Sequence, residues 1–305
     1  MNNFSLFIII TTYNSIPWLS SCLDSCKDFP IVVVDNASTD ETVSYIERNY
    51  PSIILLKQTE NLGFGQANNI GIRYALDHGA EHVFLLNQDA YLVDDVLVEL
   101  LTFQKQHVEY GILSPIHITG DQKKLDKNFS NFMLKEKTKQ FYSDFVLGNP
   151  LAAVYEVPFV NAAAWLVSKT CLETVGGFDP LFFHYGEDEN YCQRVTYHGF
   201  KIGVLPRALV IHDRANRKQS KPELFSTDYF KEVEKLYKIN FANILTDNDI
   251  DLKISKLRQV VFKLIVQLKF KQAKLYQQKV MLLLQLKPLI EKSRRFNVIK
   301  DSHYL

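Results

Sequence analysis

Three carboxylate positions and one histidine carry most of the chemistry this chain can offer. In VFLLNQDA (83–90) an apolar run passes into Asn87, Gln88 and Asp89. A carboxylate beside a buried run needs a partner or water, and Asp94 or Asp95 already supplies a cap for the next helix. Asp89 therefore reads as a ligand for a hard cation such as Mg2+ or Mn2+, which takes one or two carboxylates plus phosphate oxygens. In GGFDPLFFHYGEDENYCQRV (176–195), Glu187, Asp188 and Glu189 crowd one helix start. The helix dipole favours acids there, yet the three repel one another, and one set beside a hydroxyl could take its proton as general base. Asp35 closes IVVVD (31–35), either as a cap or loop carboxylate or as an acceptor for a base or ribose, with the Tyr13 ring nearby. His212 ends ALVIH (208–212); it is a structural histidine unless it faces the same site.

The elements that must position these groups alternate along the first half. LFIII (6–10), IVVVD, IILL (53–56), VFLL (83–86) and GILSPI (111–116) are strand-like, with helical stretches between them. Ser38-Thr39-Asp40-Glu41 matches a capping box, and the stretch from Ala67 to Asp77 closes at His78-Gly79. Strands separated by helices predict a parallel sheet covered on both faces. Ligands of such sheets bind outside the carboxyl ends of the strands. Those ends read Thr11-Thr12-Tyr13-Asn14, Asp35-Asn36, Glu60-Asn61 and Asn87-Gln88-Asp89, so polar groups collect at one edge. Residues 117–150, polar and Lys-rich, read as a loop excursion. Strands return near 201–205 and 208–212, and from about residue 221 the pattern is helical. The first turn, TTYNSIPW, holds no glycine, which disfavours a GxGxxG dinucleotide cradle. NLGFGQANNIG (61–71) instead reads as a turn that lets backbone amides approach a ligand.

The composition bounds the class. The 305 residues are 47% hydrophobic and 23% charged, as in a folded soluble protein. A net charge of +1 conceals an asymmetry: residues 253–305 hold 13 Lys/Arg against Glu291 and Asp301, net +11, while the rest carries −10. A basic tail on an acidic body suggests an anionic surface, and its apolar residues recur at helical spacing from Ile254 through Leu257, Val261, Leu264 and Leu268. It reads as an amphipathic membrane-resting surface, or as a helical hairpin packed on the body or on a second subunit in a homodimer. The acidic body argues against nucleic acid. Four cysteines without CxxC spacing point to reduced thiols in a cytosolic setting. There is no signal-peptide pattern and no run long enough to span a bilayer.

In order and spacing, TTYN, VVVDNASTD, NLGFGQANNIGI, LLNQDA, GGFDPLFFHYGEDENYCQR and VIH resemble the family 2 glycosyltransferases over about residues 6–240. The nearest likeness is to the rhamnosyltransferase-like branch of bacterial surface polysaccharide synthesis. The resemblance implies an α/β GT-A fold, a mixed sheet with helices on both faces, in residues 1–220, followed by a C-terminal helical basic extension in 221–305. It implies an inverting transfer of a sugar from a nucleotide-diphosphate donor (dTDP-rhamnose or a UDP-sugar) to a hydroxyl of a saccharide or lipid-linked acceptor. Thr11, Tyr13, Asp35, Asn36, Asn61, Gly63 and Asn87 would contact the donor, Asp89 and His212 a Mn2+ or Mg2+ ion, and Asp188 would be the general base with Glu187 in reserve. Asn87 stands where the family's DxD motif has its first aspartate, which removes a negative charge and should weaken metal affinity. A scaffold subunit of a polysaccharide assembly complex is the alternative that Asn87 supports. The retained Asp89, Glu187 and Asp188 oppose it. The setting implied is cytoplasmic, peripheral on the inner face of the cell membrane.

Overall fold

A computed structural model describes residues 5–26, 28–134, 138–214 and 222–305. The strands are β1 (Leu6–Thr12), β2 (Ile31–Asp35), β3 (Ile54–Lys57), β4 (His82–Asn87), β5 (Ala90–Leu92), β6 (Tyr110–Thr119), β7 (Tyr155–Glu156), β8 (Ala164–Ser168) and β9 (Lys201–His212). They form one sheet in the order β3-β2-β1-β4-β8-β6-β9-β5, with β7 paired to β9. The helices are α1 (Ile16–Ser25), α2 (Thr42–Asn49), α3 (Phe64–Asp77), α4 (Val96–Gln106), α5 (Lys127–Met133), α6 (Lys139–Leu147), α7 (Lys169–Val175), α8 (Glu187–Tyr197), α9 (Thr227–Phe241), α10 (Ile250–Val266) and α11 (Phe270–Asn297).

Strand side chains alternate between faces, and both faces of this sheet are dry. Ile9, Val32, Val34, Val83 and Leu85 pack with Ala67, Ile72 and Ala75 of α3. Ile8, Ile10, Val33, Phe84 and Leu86 pack with Leu19 and Leu23 of α1 and Leu97 and Leu100 of α4 on the other face. Each such side chain contributes roughly 1.5–3 kcal/mol on burial, which is why β1 and β2 are nearly unbroken apolar runs. Strands β1 to β4 pair in parallel, in a register that sets Thr12 opposite Asp35 and Thr11 opposite Asn87. The parallel pairing thus delivers all the polar strand ends to one edge.

Beyond β4 the sheet turns mixed. β8 runs antiparallel to both β4 and β6, while β9 runs parallel to β6 and antiparallel to β5. The two expected strands at 201–205 and 208–212 are one strand of 12 residues, with an irregularity in its pairing where Leu205 gives way to Leu209. Its last residue, His212, pairs with Ala90, and Asp213 N–H donates to Asp89 O at 2.8 Å.

Local chemistry departs from the expected caps. α2 starts at Thr42, and the capping box does not form; Asp40 Oδ1 accepts from Thr42 N–H instead. Asp95 stands at the N-cap of α4 without a side-chain hydrogen bond. The stretch read as a loop, 117–150, carries the end of β6 together with α5 and α6. Asp126 caps α5, and Phe129, Met133 and Phe141 insert into the first core. Its apolar residues are too few per turn to stand out against the lysines.

A third apolar cluster joins Phe182 to Tyr237 and Ile239 of α9, Ile254 and Leu257 of α10, and Val280, Leu283 and Ile290 of α11. Lys287 of α11 meets Asp251 of α10 at 2.6 Å, so the two long helices form an antiparallel hairpin. The chain then returns to the sheet half: Gly177 N–H donates to His303 O at 2.7 Å, and Leu305 packs on the first core. No helix among the described residues is long and apolar enough to cross a membrane.

Candidate active site

A cavity of about 400 Å³ opens at the edge where the parallel strands end. Ten of the eleven expected site residues line it: Thr11, Tyr13, Asn36, Asn61, Gly63, Asn87, Asp89, Glu187, Asp188 and His212. Asp35 does not. It is buried one layer behind, where Oδ1 accepts from Thr12 Oγ1 at 3.0 Å and Ser38 Oγ at 2.6 Å, and Oδ2 from Ser38 N–H at 3.0 Å. Instead of presenting a carboxylate to a ligand, Asp35 fixes the β2–α2 loop.

Amides then cross-link the cavity's floor. Asn36 Nδ2 donates to Asn61 Oδ1 at 2.9 Å and to Gly63 O at 3.2 Å, and its Oδ1 accepts from Leu62 N–H at 2.8 Å. Gly63 holds φ +80° at the start of α3, and a Cβ there would run into the carbonyl of Phe183. Only glycine allows the two loops to touch so closely. Gln88 clamps the β1 end, accepting from Tyr13 N–H at 2.7 Å and donating to Tyr13 O at 3.3 Å.

One wall holds Asp89 and His212, with Nε2 3.5 Å from Oδ1 and both side chains buried. His212 Nδ1 lies 3.9 Å from Asp126 Oδ2, so the ring stands between two carboxylates. His117 beside it is held well below the usual histidine range by burial and then by the neighbouring His212, and its ring sits 5.9 Å from that of His212. The Asn87 Oδ1 atom is buried on the same side without a hydrogen bond. Among the described residues no group of three or more His, Cys, Asp or Glu is arranged to hold a metal ion. A carboxylate, an imidazole and an amide oxygen are still a donor set that Mn2+ or Mg2+ can use when phosphate oxygens complete the shell.

The start of α8 lines the same cavity. Gly186 at φ +96° turns the chain into it. The Glu187 carboxyl is buried, with Oε2 making no hydrogen bond. Burial first, then the charge of Asp188, pushes its pKa up to about 8. Asp188 is partly open to the cavity, and its Oδ1 accepts from Glu189 N–H at 2.8 Å. Burial raises it to about 6, with backbone N–H groups opposing and Glu189 adding a smaller push.

Sequence reasoning noted Gln88 only as part of a polar strand end and passed over Asn128, Asn161, Phe183, Tyr185 and Arg214 as site residues; all of them also line the cavity. With the Asn128 amide turned so that its oxygen faces the guanidinium, Arg214 donates to it at 2.9 and 3.2 Å. That arrangement sets a cation beside the Asp89 wall. Only its place two residues after the strand-ending His212 could have flagged it. All four cysteines are buried and unpaired, with the Cys171 thiol raised to about 12 by burial; none lines the cavity.

The "Glycosyl transferase family 2" model matches residues 7–165, just over half of the chain. A dTDP-rhamnosyl transferase, RfbF, of Shigella flexneri is 26% identical over 273 residues, 86% of this chain and 87% of that protein. The N-acetylglucosaminyl-diphospho-decaprenol L-rhamnosyltransferase of Mycobacterium tuberculosis is 25% identical over 68% of this chain and 76% of its own length. Among solved structures, residues 1–349 of Staphylococcus aureus TarS in complex with UDP-GlcNAc superimpose with a TM-score of 0.56 at 17% identity, covering 97% of this chain and 88% of that one. The mannosyltransferase PcManGT from Pyrobaculum calidifontis, in complex with GDP-Man and Mn2+, gives 0.52 at 20% identity, covering 80% and 65%.

Proposed function

The chain belongs to glycosyl transferase family 2 and has the GT-A fold, and from that premise we propose how its cavity moves a sugar. It is a nucleotide-sugar glycosyltransferase of polysaccharide synthesis. The donor we assign is dTDP-rhamnose or a UDP-sugar. The acceptor is a hydroxyl of a saccharide or lipid-linked saccharide, worked on at the inner face of the cell membrane. The Shigella flexneri relative is named for dTDP-rhamnosyl transfer, and the Mycobacterium tuberculosis relative for rhamnosyl transfer to N-acetylglucosaminyl-diphospho-decaprenol.

One observation carries the mechanism: Asp188 opens into the same cavity as Asp89, with burial raising its pKa to about 6. At neutral pH it is ionised yet still basic enough to accept a proton, the condition for efficient general base catalysis. Glu187, raised further by burial and by the charge of Asp188, holds its proton more tightly and is buried, so Asp188 is the base we assign. As its carboxylate removes the acceptor proton, the acceptor oxygen forms a bond to the anomeric carbon from the face opposite the diphosphate. The bond to the diphosphate breaks, and the electron pair leaves with it, inverting the centre.

Asn36, Asn61 and Gly63 shape the nucleoside end, and Tyr13 offers an exposed ring to it. A divalent ion held by Asp89 and His212, with the Asn87 amide beside them, would offset charge on the departing diphosphate. Arg214 would add fixed positive charge there. Donor hydrolysis and transfer measured across dTDP-, UDP- and GDP-sugars, with and without Mn2+, test this reading. A complete absence of turnover and of donor binding across that panel would refute it.

A further inference from the structure

The α10–α11 hairpin buries apolar side chains along its base and then stops. Ile250, Ile254 and Leu257 of α10 are buried, whereas every residue from Ile265 to Gln272 is exposed. Five large apolar side chains crowd this tip: Phe262, Ile265, Val266, Leu268 and Phe270.

The turn itself is built against its own stability. Lys269 N–H donates to Leu264 O and Leu268 N–H to Ile265 O, both at 2.9 Å, the closure of a helix ending in a left-handed residue. Leu268 occupies that position at φ +58°, where glycine is the comfortable choice. It is also 74% exposed. A leucine placed here strains the backbone and leaves its side chain in water, and neither feature helps the fold.

The electrostatics name the partner. Around the tip stand exposed Lys263, Lys269, Lys271 and Lys274 with no acid among them, and the flanking acids Asp251 and Glu291 lie at the base, both paired with Lys287. Apolar side chains at a point, ringed by long-stemmed cations, match the interface of an anionic bilayer: rings and aliphatics enter the acyl boundary while ammonium groups stay at phosphate level. A second copy of this chain would bring the same positive charge against itself. We infer that the α10–α11 tip is an insertion element for an anionic lipid surface.

The base of the hairpin packs on Phe182, three residues before Tyr185 at the cavity mouth. An arm of 17 residues, about 25 Å long, therefore links the lipid surface to the place where an acceptor enters. This deepens the proposal of a lipid-linked acceptor and rests on it only for its purpose.

The test is co-sedimentation of the full chain with phosphatidylcholine vesicles, with and without phosphatidylglycerol. Binding is expected on the anionic vesicles alone, weakening as salt rises. Leu268→Gly and Phe270→Ser should each lower it by roughly tenfold, and Leu268→Gly should at the same time raise the thermal midpoint. Equal binding to both vesicle types overturns the inference, as does binding unchanged in both variants. A dimer formed without lipid and abolished by the same substitutions would assign the tip to a second copy and overturn it too. Donor hydrolysis without vesicles should be unchanged in both variants, so failure of the tip and failure of the transferase reading give different results.

Discussion

Glu187 and Asp188 are consecutive at the start of α8, and burial raises both carboxyls, Glu187 the further because the charge of Asp188 adds to it. The difference follows from position: Glu187 is buried with an oxygen that makes no hydrogen bond, while Asp188 is bonded by the Glu189 N–H and reaches the cavity. Asp188 is thus the carboxyl of the two that gives up its proton more readily and can take one from an acceptor. Asp188→Asn should therefore lower kcat by about 10²–10⁴-fold while leaving donor affinity within a factor of a few. Glu187→Gln, which imitates the protonated form, should retain far more activity. The kcat/KM profile should rise through about pH 6. A variant Asp188→Asn with full activity would remove the assigned base.

The same burial sets a stability trend. Folded Glu187 binds its proton up to about pH 8, whereas in the unfolded chain it ionises near 4.3. Between those values the native state holds more protons, so stability falls as pH rises through this window and levels off above it. Glu187→Gln should flatten that slope and be the more stable protein at pH 8 and above. Thermal midpoints at a series of pH values for both proteins check the sign.

Metal affinity should track the charge on the Asp89 wall. His212→Ala or Asp89→Asn should weaken Mn2+ binding in the presence of UDP by about tenfold or more, measured calorimetrically and without turnover. Asn87→Asp restores a second carboxylate and should tighten it. If Asn87→Asp has no effect, the ion is not held on this wall.

Gly63→Ala tests the contact between the two loops. The added methyl would meet the Phe183 carbonyl, at a residue already at φ +80°. Strain of this kind costs about 1–3 kcal/mol, so the thermal midpoint should drop by several degrees and donor KM should rise as the Phe183–Glu187 segment shifts. Gly79→Ala, also at positive φ but with open space around it, is the control for the backbone alone.

The sheet was legible because burial on both faces writes itself as unbroken runs such as FIII and VVVD, and the polar residues that follow must sit at one edge. The site was legible where a carboxylate interrupted an apolar run, as at Asp89. Three things were hidden. Asp35 ends its strand much as Asp89 follows β4, but Ser38, three residues on, supplies hydroxyl and N–H partners that turn its carboxylate inward. Nothing in the local pattern distinguishes the two. Helices α5 and α6 were lost because their anchoring rings, Phe129 and Phe141, lie among lysines, and because the structure around them, not their own periodicity, buries them. Arg214 depends on Asn128, 86 positions away, a pairing only the folded chain creates.

Asn69 receives Phe178 N–H and donates to Phe178 O, at 2.7 and 2.8 Å, binding α3 to the segment that leads into α8. With the Asn36 bridges this makes a braced frame around the cavity, while Phe183 and Tyr185 stand more than half exposed at its rim. Those two aromatics can thus be exchanged to reshape the cavity entrance while the frame behind them stays in place.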